Sequence, residues 1–224
     1  MQELVIGVVS SLLATALTVA AGWFGLSWPR RILLRLLSRM TGVGVVRSYA
    51  TQSAANAELV GDLRSARWVR VVAGRGNELT RDSFQELWRS GGARLESVKV
   101  LLPDPADPGG WLRAREEEMR RADPGFEAGL LAKQVSANLD YLTAVAARRP
   151  EVDVRVFDSP HSLRAIITDR VAYFTPYLPG RHGRNSPCLV FAEGGVMYDH
   201  VLRVFDQLWQ ASPDRKPPSD RDGR

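Results

Sequence analysis

A loop rich in proline and glycine carries several side chains that are suited to binding phosphate. Residues 173–186 read YFTPYLPGRHGRNS and supply Tyr177, Arg181, His182, Arg184 and Ser186. Guanidinium groups present fixed forks of N–H donors to phosphate oxygens, and hydroxyl groups add single hydrogen bonds. The loop is therefore a candidate phosphate-binding segment. The alternative is an ordinary solvated loop, because such loops are polar without any ligand.

A second candidate lies where a predicted strand runs into a predicted helix. The strand at residues 68–73 is followed by the sequence GRGN at residues 74–77. Backbone N–H groups and a guanidinium near the amino end of a helix favour an anion, so Arg75 and Asn77 are candidate ligands. The pattern is neither a Walker loop nor the full dinucleotide fingerprint, and a plain strand-to-helix turn is the alternative.

Residues 161–169, HSLRAIITD, combine a histidine, a cation and a carboxylate after a predicted strand and turn. They resemble the motif of the phospholipase D-like superfamily: His, any residue, Lys, any four residues, Asp. In that family the His attacks phosphorus, the Lys holds the phosphate, and the Asp supports the fold or the His. Arg164 and Asp169 keep the spacing of the Lys and the Asp. Ser162 occupies the His position and His161 lies one residue earlier, which on a strand points to the opposite face.

The resemblance covers about residues 45 to 210 by the order of elements, and it implies an α/β fold with a mixed sheet flanked by helices. It also implies a phosphorylated ligand: a small molecule or nucleotide, a lipid headgroup or a nucleic-acid backbone. Catalysis in the family needs two facing motifs, and the three histidines all lie in the last third of this chain. Only a homodimer with His161 as nucleophile could therefore complete an active site.

These observations favour a domain that binds a phosphorylated ligand without catalysis, in a sensing or regulatory role. Two rival hypotheses remain: a phosphodiesterase completed by homodimerisation, and a structural protein-interaction module at the membrane. The sequence indicates no cofactor, and His182 and His200 lack metal-ligand spacing to another His, Cys or carboxylate. The single cysteine, Cys188, excludes an intramolecular disulfide.

The hydrophobic pattern predicts the elements that position these residues. Alternating or β-branched apolar runs predict strands at residues 68–73, 95–102, 153–157, 163–168, 171–176 and 189–192. Apolar residues at helical intervals predict helices at residues 78–89, 111–121, 126–148 and 197–210. Residues 41–66 begin as a glycine-containing linker and become helical. Two strands around a helix indicate a parallel crossover, and Asp169-Arg170 indicates a hairpin between the strands on either side.

The first part of the chain has the composition of a membrane anchor. Residues 4–26 hold no charged side chain, and a helix of that length rises about 34 Å, enough to span a hydrocarbon core. The alternative is a cleaved signal peptide. A signal peptide needs a positively charged start, whereas the only charged side chain before this stretch is Glu3. We therefore expect one transmembrane helix, in the cell membrane.

Residues 28–44 form a basic segment next to the predicted span. Arg30, Arg31, Arg35 and Arg39 crowd this side, so the positive-inside rule puts the following domain in the cytoplasm. Arg31, Arg35 and Arg39 follow one another at intervals of four residues and so share one helix face. This arrangement is typical of a helix that contacts membrane lipid. A plain positive-inside signal is the alternative.

We expect the cytoplasmic domain to occupy residues 45–211, followed by a disordered tail at residues 212–224. The net charge is +5, and the four arginines beside the predicted span account for most of it. Nucleic-acid binding is therefore not required by the charge.

Overall fold

The computed structural model describes residues 27–90, 95–106, 110–159 and 162–212, together with residues 7, 11, 13–15, 18 and 19. Most of the predicted span at residues 4–26, His161 and nearly all of the predicted tail at residues 212–224 lie outside this description. Among the described residues, no helix has both the length and the apolar content that crossing a bilayer requires.

Seven strands form one mixed sheet in the order β1-β7-β6-β5-β2-β3-β4. They are β1 (Val45–Tyr49), β2 (Trp68–Val72), β3 (Ser97–Pro103), β4 (Val152–Phe157), β5 (Leu163–Thr168), β6 (Val171–Pro176) and β7 (Cys188–Ala192). The pairs β2–β3 and β3–β4 are parallel, and the other neighbours are antiparallel. The predicted parallel crossover and the predicted hairpin are therefore confirmed.

Helices cover both faces of the sheet. They are α1 (Ser27–Thr41), α2 (Gln52–Arg64), α3 (Gln85–Ser90), α4 (Trp111–Ala122), α5 (Leu130–Ala146) and α6 (Val196–Ala211). Buried residues of α2, α4 and α5 belong to one apolar core, and those of α6 belong to a second. The predicted α/β class, a mixed sheet flanked by helices, is confirmed. Leu139 and Leu142 of α5 are fully buried, so truncation of either to alanine is expected to cost about 2 to 5 kcal/mol.

Two predicted elements were wrong. Residues 45–49 form edge strand β1 and not a linker, because the β-branched pair Val45-Val46 extends along β7. The predicted helix at residues 78–89 is broken into two 3-10 turns, Asn77–Thr80 and Asp82–Phe84, before α3 begins. Asn, Asp and Ser are weak helix formers, and they occupy positions 77, 82 and 83 of this stretch.

The strand register brings separate parts of the chain to one end of the sheet. Val72 at the end of β2 pairs with Ala165 near the start of β5, and Leu163 pairs with Pro176 at the end of β6. The segment after β2, the start of β5 and the segment after β6 therefore meet. Both candidate phosphate-binding segments are adjacent at this end.

Candidate functional site

A cavity of about 410 Å³ opens at this end of the sheet. Its volume lies in the range of small-molecule sites. The described residues that line it include five arginines and one carboxylate, Glu78; the arginines are Arg75, Arg81, Arg115, Arg164 and Arg184. Guanidinium groups in this excess make the cavity suited to an anion.

The turn after β2 holds Arg75 in a constrained backbone. Gly76 has φ +83°, and a Cβ there would lie 3.0 Å from Leu102, so a side chain would be strained. The amide of Asn138, on α5, donates to the Arg75 carbonyl oxygen at 2.8 Å and to Asn77 Oδ1 at 2.7 Å. Helix α5 of the core therefore holds the turn that carries Arg75 in place.

The surroundings of Arg75 favour a bound anion. Within the described part of the chain, Arg75, Arg81 and Arg184 form no ion pair. Burial lowers the pKa of Arg75, and the positive charges of Arg184 and Arg115 lower it further, while Tyr177 acts in the opposite direction. A phosphate beside Arg75 would offset both unfavourable effects.

Arg164, by contrast, is already paired. It is 6% exposed, and its guanidinium forms a salt bridge with Glu78. Glu78 also accepts a hydrogen bond from Gln52 Nε2 at 2.9 Å. The Asn56 amide, oriented so that its nitrogen faces the acceptors around it, donates to Glu78 at 3.0 Å. Most of the Arg164 charge is therefore compensated within the cavity wall.

Aromatic residues close another side of the cavity. The backbone N–H of Gly74 donates to the Tyr177 hydroxyl oxygen at 2.8 Å, and the Arg115 guanidinium lies 5.4 Å from the centre of the Tyr177 ring. Trp111 stacks on the same ring at 6.5 Å. A Cβ on Gly74 would come within 2.9 Å of Trp111, so this wall needs glycine at that position.

The loop after β6 is held in place by backbone contacts. Arg115 donates to the Arg181 carbonyl oxygen at 2.8 Å, and Glu118 accepts from the Gly180 N–H at 2.9 Å. His182 Nε2 lies 3.4 Å from Asp123 Oδ2. These contacts tie the loop to α4 and its end, and they keep Arg184 at the cavity.

The structure brings together most of the residues that the sequence nominated. Arg75, Asn77, Arg164, Tyr177 and Arg184 all line the cavity. They come from three segments of the chain that only the sheet topology makes neighbours.

Two nominated residues, Asp169 and Ser186, are placed differently. Asp169 lies in the β5–β6 hairpin, at the other end of the sheet, where it accepts from the Arg67 N–H at 2.9 Å. Ser186 is fully buried, and its carbonyl oxygen accepts from the Gln52 N–H at 2.8 Å. His161 is outside the described residues. Ser162 beside it is exposed, and its carbonyl oxygen accepts from the Tyr177 N–H at 2.7 Å.

Glu78 and Asn138 were missed by the sequence analysis. A signal for Asn138 was present, because a polar residue interrupts the apolar face that Val135, Leu139 and Leu142 form on α5. Glu78 gave no comparable signal, since its partner Arg164 is 86 residues away in the chain. Within the described residues, no group of three or more His, Cys, Asp and Glu side chains is arranged to hold a metal ion.

No protein-family model and no curated protein sequence matches the chain. The fold is similar to solved structures, among them TrmBL2, an archaeal chromatin protein with a novel mode of DNA binding. That comparison has TM-score 0.47 and 13% identity, and it covers 91% of this chain and 68% of that chain. Nuc from Salmonella typhimurium, a phospholipase D family member, has TM-score 0.45 and 13% identity over 73% of this chain and 91% of its own.

NucT from Helicobacter pylori has TM-score 0.45 and 8% identity over 75% of this chain and 98% of its own. A phospholipase D family member is thus among the structural neighbours. At these TM-scores and identities, no activity, ligand or residue role is transferred from any of these proteins to this chain.

Proposed function

We propose that the chain binds a small phosphorylated ligand in the arginine-lined cavity, without phosphodiester turnover, in a sensing or regulatory role. Residues 4–26 anchor it in the cell membrane as a single span, with the domain in the cytoplasm. The observation that carries the proposal is the set of arginines in the cavity, three of which form no ion pair among the described residues.

The charges of the cavity support a phosphate in particular. Arg75 and Arg184 come from two separate segments, the turn after β2 and the loop after β6, and each offers a planar fork of donors. The carboxylate Glu78 is occupied by Arg164, so it repels an incoming anion less than a free carboxylate would. Two of the three arginines that form no ion pair within the described residues, Arg75 and Arg184, lie in the two segments that the sequence nominated.

The absence of turnover is proposed from the register of the motif. Ser162 stands where the superfamily has its nucleophilic His, and a serine hydroxyl needs an adjacent base to attack phosphorus at neutral pH. His182 is the histidine among the described lining residues, and it pairs with Asp123. Arg164, at the Lys position, is engaged by Glu78 and less available to a phosphate.

The test uses the full chain in detergent micelles with inorganic phosphate, AMP and glycerol 3-phosphate as probes, and adenosine and glycerol as unphosphorylated controls. A bound phosphate stabilises the folded state, so Tm should rise with the concentration of at least one phosphorylated probe. Adenosine and glycerol should leave Tm unchanged. Arg75→Gln should weaken its binding by about 1.5 to 3 kcal/mol, the scale of a charge-assisted hydrogen bond. Arg184→Gln should also weaken it.

Arg203→Gln is the matched control, because Arg203 is an exposed arginine of α6 outside the cavity. Equal effects of Arg75→Gln and Arg203→Gln would show that general charge, and not the cavity, attracts the phosphate. Hydrolysis of bis(p-nitrophenyl) phosphate by the full chain, lost in His161→Ala, would replace this proposal with the homodimeric phosphodiesterase.

A further inference from the structure

Helix α1 turns its apolar side chains toward solvent. Ile32, Leu36 and Met40 are spaced by four residues, as are Leu33 and Leu37, so all five share one face. Each is exposed, with 55% for Leu36 and 82% for Met40. An exposed apolar stripe of this size marks a surface that a partner covers.

The buried side of α1 is the less apolar one. Ser38 is only 7% exposed and Leu34 is partly buried, and these two residues lie on the side of the helix opposite to the stripe. A surface helix of a soluble domain shows the reverse arrangement, with its apolar stripe toward the core. The stripe on α1 is therefore not used by the fold of this chain.

The apolar surface continues onto the globular domain. Val43 follows α1, and Val196, which is 65% exposed, begins α6. The Val196 N–H donates to the Gly42 carbonyl oxygen at 3.0 Å, and the Met197 N–H donates to the Val43 carbonyl oxygen at 3.3 Å. These bonds hold the start of α6 against the end of α1, so the two valines extend the stripe.

We propose that the stripe on α1, with Val43 and Val196, lies in the interface of an anionic lipid bilayer. This rests on the membrane part of the proposed function. The uncharged segment 4–26 ends immediately before Ser27, where α1 begins, so the chain would leave the bilayer directly into this helix. Arg35 is exposed on α1, and the sequence adds arginines at positions 30, 31 and 39, charges that complement anionic headgroups.

The arrangement also separates the membrane contact from the cavity. The Gly44 carbonyl oxygen accepts a hydrogen bond from the N–H of Ala192, at the end of β7. Gln52, which lines the cavity, donates its N–H to the Ser186 carbonyl oxygen, just before β7 begins. The Val43 and Val196 part of the apolar surface therefore lies at the end of the sheet opposite to the cavity. A ligand can enter the cavity from the aqueous side while α1 stays on the membrane.

The test places single fluorescent labels on the full chain reconstituted in vesicles of phosphatidylcholine and phosphatidylglycerol. Leu36→Cys and Val196→Cys report on the proposed surface, and Ala57→Cys, exposed on α2, is the matched control. The native Cys188 is fully buried and labels poorly, which the unsubstituted chain measures as background. Brominated lipids should quench the labels at positions 36 and 196 several-fold more than the label at position 57.

Quenching at position 36 no greater than at position 57, in protein that floats with the vesicles, would overturn this proposal and leave the anchor intact. Energy transfer between labels on two copies, without lipid quenching, would overturn it in favour of a second copy on this face. Failure of the full chain to float with the vesicles would instead overturn the membrane part of the proposed function.

Discussion

Glu78 and Arg164 form a largely buried salt bridge in the wall of the cavity, between the turn after β2 and the start of β5. Their side chains are only 14% and 7% exposed. The position that resembles the phosphate-holding Lys of the phospholipase D-like motif is thus occupied by a cation that the protein neutralises itself. We therefore expect Arg164 to stabilise the cavity wall rather than to bind a ligand.

The first prediction follows from that pairing. Arg164→Met removes one partner and leaves the Glu78 carboxylate buried, so the free energy of unfolding should fall by about 3 to 5 kcal/mol. Adding Glu78→Gln should recover part of this loss, because no unpaired charge remains and the single amide oxygen still accepts from one of the two amides, Gln52 or Asn56. Urea denaturation of the three proteins in micelles measures both effects.

Arg203→Gln serves as the control and should change stability by no more than about 0.5 kcal/mol, as exposed substitutions do. A loss below about 1 kcal/mol in Arg164→Met would contradict the prediction. Arg164 would then be available to a ligand, as the superfamily motif implies.

The sequence predicted the parts of the fold that local pattern determines. The strands that became β2 to β7 and the helices that became α4, α5 and α6 follow from hydrophobic periodicity, with boundaries that moved by a few residues. Edge strand β1 was missed because its pairing with β7 joins segments about 140 residues apart, which local pattern does not show. The helix predicted after the turn failed for a local reason, the turn-forming Asn77 and Asp82.

The candidate site was predictable where residue type alone carries the chemistry. Arg75, Tyr177 and Arg184 were nominated because guanidinium and hydroxyl groups suit phosphate, and they do meet in one cavity. What sequence could not show is which arginine has a partner, because the salt bridge from Arg164 to Glu78 depends on tertiary packing. The same limit applies to Asp169, which motif spacing nominated and which lies at the far end of the sheet.

The second prediction concerns membrane topology. With residues 4–26 uncharged and four arginines following them, a reporter fused after Arg224 should be active in the cytoplasm. The protein should also stay in the membrane fraction after carbonate extraction. Reporter activity on the outer side of the membrane would overturn both the orientation and the compartment.

The third prediction concerns stability at alkaline pH. Burial raises the pKa of Tyr173, Tyr177 and Tyr198 above the ordinary tyrosine value of 10.0. The folded state therefore favours the protonated hydroxyls, and their contribution is complete below the unfolded pKa and is lost as pH rises above it. The urea midpoint should stay level up to about pH 9 and should decline as the pH rises above about 10.

Two tyrosine variants separate this effect from general alkaline unfolding. Tyr198 donates to the Thr168 carbonyl oxygen at 2.6 Å, and Tyr198→Phe should lower stability at neutral pH but flatten the alkaline decline. Tyr141, exposed on α5, is the control, and Tyr141→Phe should leave the slope unchanged. Equal slopes in both variants would assign the decline to other groups, such as Cys188, whose pKa burial also raises.

The last prediction links the core helix α5 to the cavity through Asn138. Its side-chain amide donates to the Arg75 carbonyl oxygen and to Asn77 Oδ1, so it acts as the support of the turn that carries Arg75. Asn138→Asp keeps the size of the side chain but replaces the donor with an oxygen that faces two acceptors. The free energy of unfolding should fall by about 1 to 3 kcal/mol, and phosphate binding should weaken in parallel because Arg75 is no longer held in place. Asp140→Asn, on the exposed side of the same helix, is the matched control and should change neither property. Urea denaturation and titration with the phosphorylated probe of the proposed function measure the two effects, and a loss of stability with unchanged phosphate affinity would show that the position of the turn does not determine binding.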